Sequence, residues 1–130
     1  MPTLTILDET ASGSIISRLE MEISQETLTV RELIAQRVTD EVSAYNTQQS
    51  GMFRGLVQPT ESEQVLNGYR VRPSRQLDAE QQVYRALEAF QRNGFVLLVN
   101  DRQAESLDEA VWLGEGATAS FVKLTPLVGG

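Results

Sequence analysis

The order of strand-like and helix-like patterns along the chain limits the folds that it can adopt. Residues 3–7 and 15–23 alternate between apolar and polar side chains on either side of the turn-forming stretch ETASGS, which predicts a β-hairpin. Thr29 and Glu32 then stand at capping-box spacing and apolar residues recur at helical intervals, so an amphipathic helix is predicted over residues 30–45. We expect this helix to lie against the hairpin, because each has one apolar side that needs cover.

The second half of the chain predicts a further helix and three strands. Residues 77–92 carry an apolar stripe that starts after a capping Asp78. The run FVLLV at residues 95–99 is nearly all apolar, which is typical of a strand that is covered on both faces. A short edge segment is predicted at residues 104–107, and the final strand is predicted at residues 119–124.

Between the two helices, residues 51–76 show no sustained periodicity. This segment contains three glycines and two prolines, and its isolated apolar residues could anchor it to a surface. The stretch TESEQVL predicts one short helix that starts at Thr60. The segment is therefore an insert that is either a packed loop with a function or a mobile one.

Composition excludes several classes of chemistry. A chain of 130 residues has the size of one domain, and its lack of both cysteine and histidine excludes thiol and imidazole nucleophile pairs and metal sites built from those ligands. The net charge of −7 and the scattered arginines argue against nucleic-acid binding. No apolar run approaches the roughly 20 residues that span a bilayer, and no secretory signal is visible at the start, so we expect a cytoplasmic protein that does not enter a membrane.

The predicted order of elements resembles the β-grasp fold. In that α+β arrangement a mixed sheet clasps an amphipathic helix, and the first and last strands lie side by side and parallel at its centre. We expect a single domain over residues 1–130, with the insert at 51–76 and a second helix placed before the third strand. A flexible tail is expected at residues 125–130, because the final strand points out of such a sheet.

Two stretches resemble known members of this family. The sequence RLEMEISQETLTVRELI resembles the second strand and the helix start of ubiquitin. The sequences FVLLVNDRQ and LDEAVWLGEGATASFVKLTPLVGG resemble the closing half of the small subunit of molybdopterin synthase, which is a sulfur carrier. The printed sequence also ends in Gly129 and Gly130, as members of both groups do.

The resemblance implies a role for each residue of the tail. An adenylating enzyme that uses ATP would activate the carboxylate of Gly130, and a Cβ at Gly129 or Gly130 would obstruct that attack. Pro126 would stiffen the base of the tail, so that less entropy is lost on insertion into the enzyme. Leu127 and Val128 would be apolar anchors. The chain itself would be a substrate and carrier, not an enzyme, with no bound cofactor or metal.

Ubiquitin-like proteins also bind partners through apolar side chains on the outer face of the sheet. By that resemblance, Leu97 and either Phe121 or Val122 are the candidates for a partner-binding patch. The sequence leaves the choice open, because one bulge would exchange the two faces of a strand.

Three functions remain open from the sequence. The first is a protein modifier of a bacterial conjugation pathway, joined through Gly130 to an acceptor amine by an isopeptide bond, with an activating enzyme, a conjugating enzyme and a deconjugating peptidase as partners. The second is a sulfur carrier that forms a thiocarboxylate for cofactor biosynthesis and passes it to a sulfur-transfer partner. The third is a β-grasp adaptor that uses its surface and not its tail. With a single lysine, Lys123, against ten arginines, we expect a modifier of this kind to form chains with itself rarely.

Overall fold

The computed structural model of the chain describes residues 3–66 and 68–124. This part of the chain is an α+β structure with two helices and ten strands, so the predicted fold class is confirmed at that level. The helices are α1 (Val30–Gln48) and α2 (Ala79–Gln91). The strands are β1 (Thr3–Thr10), β2 (Ile15–Glu22), β3 (Thr27–Thr29), β4 (Met52–Phe53), β5 (Glu63–Val65), β6 (Gly68–Arg70), β7 (Phe95–Val99), β8 (Arg102–Gln103), β9 (Ala110–Trp112) and β10 (Thr118–Lys123). Within residues 3–66 and 68–124, neither helix is long and apolar enough to cross a bilayer.

The described residues divide into two compact units. The first contains the described residues of Met1–Leu33 and Phe90–Thr125, and the second contains those of Ile34–Ala89. The segment predicted as an insert, residues 51–76, lies within the second unit together with α2 up to Ala89 and the part of α1 from Ile34 onward. The prediction of one domain over residues 1–130 stays a prediction.

The first unit is built on a mixed five-stranded sheet in the order β2-β1-β10-β7-β8. The first and last strands of the sequence, β1 and β10, lie next to each other and run parallel, as predicted, while every other pair in this sheet is antiparallel. Alternate side chains of the central strands are buried on one face, since the residue period of a strand is two. These buried side chains are Leu4, Ile6, Leu97, Val99, Ala119 and Phe121.

A β-bulge changes the pattern predicted for the hairpin. Met21 and Ile23 are buried as their parity predicts, but Ile15 is 62% exposed. The register between β1 and β2 shifts after Asp8, so that Glu9 lies opposite Ile15. The extra residue in β2 exchanges the faces beyond that point, which is why Ile15 leaves the buried face.

A second, two-stranded sheet pairs β3 with β9 and leads directly into α1. The first N–H groups of α1 would otherwise lack partners, and two of them donate to carbonyl oxygens of the loop before β9: Val30 to Glu109 and Arg31 to Leu107, both at 2.9 Å. Thr29 and Glu32 form the predicted capping box. The Glu32 N–H donates to the Thr29 hydroxyl at 3.1 Å, and the Thr29 N–H donates to the Glu32 carboxylate at 2.9 Å.

The second unit contains a three-stranded antiparallel sheet in the order β4-β6-β5. The short helix predicted from Thr60 is wrong, because residues 63–65 form β5 and pair with β6. The segment 51–76 is thus partly regular structure.

Side chains of both helices hold the irregular part of this segment in place. The carboxylate of Glu41 on α1 accepts the N–H of Leu56, and Gln82 on α2 donates to the carbonyl of Val57 at 3.1 Å. Arg85 donates to the next carbonyl at 2.8 Å. Since backbone groups buried in a loop need hydrogen-bond partners, these side chains take the role that neighbouring strands have in a sheet.

One ion pair of the second unit is buried. The guanidinium of Arg37 is 1% exposed and donates to the Glu41 carboxylate at 3.0 Å, one helical turn along α1. Removing one member of a buried pair leaves the other charge without compensation in a poorly solvated place. Arg37 and Glu41 are therefore coupled in their effect on stability.

We predict that Glu41→Gln lowers the free energy of unfolding by about 3 kcal/mol, because the buried Arg37 guanidinium then loses its ion pair with the Glu41 carboxylate. Adding Arg37→Met should recover part of that loss, since neither charge of the pair then remains and the amide oxygen introduced at position 41 can still accept the Leu56 N–H. Urea unfolding followed by circular dichroism measures both effects, with Arg54→Met, at an exposed arginine of the same unit, as the control. A double variant that is less stable than Glu41→Gln would contradict the expected coupling of Arg37 and Glu41.

A second prediction concerns pH. The pKa of the Glu32 carboxyl lies below its ordinary value of 4.5 because it accepts hydrogen bonds from the Thr29 N–H and hydroxyl. A carboxyl whose pKa falls on folding stabilises the folded state above the unfolded pKa, and this stabilisation disappears as the pH falls through the folded pKa. Glu32→Gln should therefore lower Tm at pH 7, and its difference from the native chain should shrink as the pH drops below 4.5. A thermal unfolding series across pH, with Glu26→Gln at an exposed loop position as control, would contradict this if the difference stayed constant.

Candidate functional site

The tail on which the predicted chemistry depends lies outside the described residues. Pro126, Leu127, Val128, Gly129 and Gly130 all belong to it, and so does the predicted flexible tail at 125–130 as a whole. The structure does describe the residues that lead into it. β10 ends at Lys123, and the N–H of Leu124 donates to the carbonyl of Gly94 at 3.1 Å, just before β7 begins.

The register of β10 shows which end of the sheet this is. Lys123 lies opposite Thr10 on the parallel strand β1 and opposite Phe95 on the antiparallel strand β7. Thr10 is the last residue of β1, and the β1–β2 turn follows it. The chain beyond Leu124 therefore starts at the end of the sheet that carries the hairpin turn and the beginning of β7.

Leu97, predicted for the partner-binding patch, and Phe121, one of the two alternatives on the last strand, do not lie on an exposed face. Both are 0% exposed, and they lie opposite each other in the β7–β10 register, so they share one face of the sheet. The ring of Phe121 also contacts that of Phe95, with centroids 5.8 Å apart. These residues are core, which leaves Val122 as the only one of the three candidates outside the buried face.

The opposite face of the same sheet carries four apolar side chains on its central strands. We call this set the outer patch, and it consists of Leu7, Val96, Leu98 and Val122. Val122 lies opposite Val96, and Ser120 lies between Leu7 and Leu98 in the register. All four are only half-buried, and the exposed Ile15 stands opposite Glu9, the β1 neighbour of Val122.

Sequence reasoning missed the outer patch because the run FVLLV has no alternation. Where both faces of a strand are apolar, the pattern does not tell which residues are covered. The signal that could have found the patch is the pairing of β7 with β10. Polar Ser120 between Ala119 and Phe121 marks the outer parity of β10, and the register carries that parity to Leu98.

Asn100 holds the beginning of β10 against β9. Its side-chain amide donates to the carbonyl of Trp112 at 2.9 Å, and its side-chain oxygen accepts the N–H of Thr118 at 3.1 Å. The indole of Trp112 is half-exposed and covers Gly114, where an added Cβ would lie 2.1 Å from a ring carbon. A side chain at Gly114 would displace this ring.

Two acidic residues of the loop before β9 have structural partners. Asp108 forms an ion pair with Arg31 at 3.5 Å, and the carboxylate of Glu109 accepts the N–H of Glu105 at 2.9 Å. Arg31 and Asp108 also line a groove of about 490 Å³ in the first unit, so opposite charges offset each other there. Within residues 3–66 and 68–124, no three acidic side chains converge in a way that could hold a metal ion.

The first unit thus brings together the outer patch on β1, β7 and β10, the hairpin turn and the point at which the chain continues toward the Gly-Gly sequence. These features lie on one sheet, and the register connects them strand by strand. No protein-family model, curated protein or solved structure matches this chain.

Proposed function

We propose that the chain is a ubiquitin-like protein modifier with a β-grasp fold, activated at Gly130 and joined to an acceptor amine in a bacterial conjugation pathway. One observation carries the proposal. The outer patch on β1, β7 and β10 reaches Val122, next to the end of β10 from which the chain continues to Gly129 and Gly130. An activating enzyme that holds the patch would then have the tail within its reach.

The strand order supports the β-grasp part of the proposal. The order β2-β1-β10-β7-β8 places a hairpin at one side, the final strand in the centre, and α1 directly after the β2–β3 segment. A central last strand that runs parallel to the first is the arrangement predicted above for this fold. In addition, α1 begins at a capping box, as the resemblance to the ubiquitin helix start implies.

The proposed chemistry requires a free carboxylate at Gly130. A carboxylate oxygen of Gly130 would attack the α-phosphate of ATP and release pyrophosphate, which gives an acyl-adenylate. A thiol of the partner enzyme would then displace AMP, and an acceptor amine would displace the thiol to form the amide. Glycine at positions 129 and 130 leaves the backbone free to enter a narrow channel, because no Cβ obstructs it.

The scarcity of amines on the chain agrees with a modifier that attaches once. Lys123 is the only lysine and is half-buried at the end of β10, so a second copy of the chain offers only this amine and its N-terminus as acceptors, and attachment to copies is expected to be rare. A conjugating enzyme and a deconjugating peptidase are the further partners of this proposal.

We predict that deleting Gly129 and Gly130 abolishes ATP-dependent attachment while the fold and its Tm stay unchanged, because the reacting carboxylate is removed. The tagged full chain and the deletion variant are incubated with ATP in a lysate of the source bacterium, and products are read by intact and peptide mass spectrometry. The mass of the full chain purified from cells must equal that of a chain whose last residue is Gly130.

The products also separate the candidate functions. A bond from Gly130 to an amine of another protein supports the modifier. Replacement of one terminal oxygen by sulfur supports the sulfur carrier instead and overturns the modifier. A chain that keeps a bound partner after the deletion and never changes mass supports the adaptor, and both proposals of tail chemistry then fail.

A further prediction tests the outer patch. Leu98→Arg should lower the rate of activation by at least about tenfold, because a charge in the middle of an apolar contact removes a central binding residue. Leu66→Arg is the matched control, since Leu66 is an equally large apolar residue that is 68% exposed in the second unit. Pyrophosphate release with the partner enzyme and ATP measures the rate, and equal rates for the two variants would show that the patch has no part in activation.

A further inference from the structure

The strand β2 forms one margin of the five-stranded sheet. Seven of its eight residues pair with β1, and in residues 3–66 and 68–124 no strand pairs with its other side. Its middle section is exposed, with side-chain exposures of 69% for Arg18 and 51% for Glu20. A free edge of this length offers a row of backbone donors and acceptors to another strand.

We propose that two copies of the chain pair through this edge, antiparallel, with Leu19 at the twofold axis. Each Arg18 then lies directly opposite Glu20 of the second copy, and Ser17 lies opposite Met21. The two five-stranded sheets become one continuous sheet of ten strands. This self-association is independent of the function proposed for Gly130.

Charge selects this register over its neighbours. Arg18 and Glu20 share one face of β2, and opposite charges placed directly across an antiparallel pair stand about 4.5–5.5 Å apart at Cβ. Like charges then stand on the diagonals, at about 7–8 Å, where their repulsion is weaker. With Arg18 at the axis, the two arginines face each other and Glu20 faces Ile16, so no opposite charges pair. With Glu20 at the axis, Arg18 faces Glu22, but two Glu20 carboxylates are placed directly opposite each other at the centre. Only the register centred on Leu19 pairs opposite charges without placing like charges directly opposite.

Charged residues on an edge strand commonly prevent the addition of another strand, because an unrelated strand offers them no opposite charge. In the proposed pairing, Arg18 of each copy lies opposite Glu20 of the other copy. The same two residues therefore exclude other strands and favour pairing with a second copy of β2. The β-bulge between β1 and β2 lies at the far end, beyond Ser17, and leaves residues 17–22 in regular register. An interface of this size is small, so the dimer should form reversibly and depend on concentration.

Charge reversal tests the pairing by sedimentation equilibrium over a range of protein concentrations. Arg18→Glu alone and Glu20→Arg alone should each reduce dimerisation at least about tenfold, because each places like charges opposite each other. An equimolar mixture of these two variants should form heterodimers, and the double variant Arg18→Glu/Glu20→Arg should form homodimers again. Arg102→Glu, on the opposite margin of the sheet, is the control and should dimerise like the native chain.

A cross-link tests the register directly, because the chain has no cysteine of its own. Leu19→Cys should form a disulfide-linked dimer under mild oxidation, since the two residues meet at the axis. Ser17→Cys should not, because four residues separate the two positions by about 13 Å along the strands. Circular dichroism confirms that each variant is folded. A native chain that stays monomeric, a dimer unaffected by the charge reversals, or equal cross-linking at both positions would overturn the proposal.

Discussion

The parallel pairing of β1 with β10 is the contact on which the rest of the first unit depends. It joins residues 5–10 to residues 118–123, so more than a hundred residues of chain are closed into a loop by this one ladder. Its register places the hairpin at one side of β10 and β7 at the other. The burial of Ile6, Ala119 and Phe121 on one face stabilises it, since a slip by one residue would exchange the buried and outer faces.

The elements with local signals could be predicted from the sequence. Both helices occur within a few residues of their predicted limits, because Thr29, Glu32 and Asp78 cap them and apolar side chains recur at helical spacing. The strand at 95–99 was found by its apolar run. The pairs β3–β9 and β5–β6 were missed, because strands of three residues are too short for a period to appear and the β3–β9 pair also joins distant parts of the chain.

The candidate site likewise has one part that the sequence predicts and one part that depends on strand pairing. The Gly-Gly sequence can be read from the letters alone, but the outer patch depends on which way each strand faces. Leu97 was chosen where Leu98 is the outer residue, and the difference is set by the pairing with Ser120 and not by composition. Likewise, the exposure of Ile15 depends on a bulge. The two hydrogen bonds of the Asn100 side chain depend on backbone groups that are 12 and 18 positions away in sequence.

The two proposals place their contacts on different strands of one sheet, and geometry makes them compatible. In the proposed dimer the twofold axis is perpendicular to the sheet, so the outer patches of both copies face the same side. The two β10 strands are separated by five strand spacings, about 24 Å, and run in opposite directions. The two Lys123 residues, at the ends of these strands, therefore lie at opposite ends of the combined sheet. An enzyme that activates Gly130 of one copy would approach one end of the combined sheet. The dimer contact at Leu19 lies on β2, which this enzyme would not have to contact.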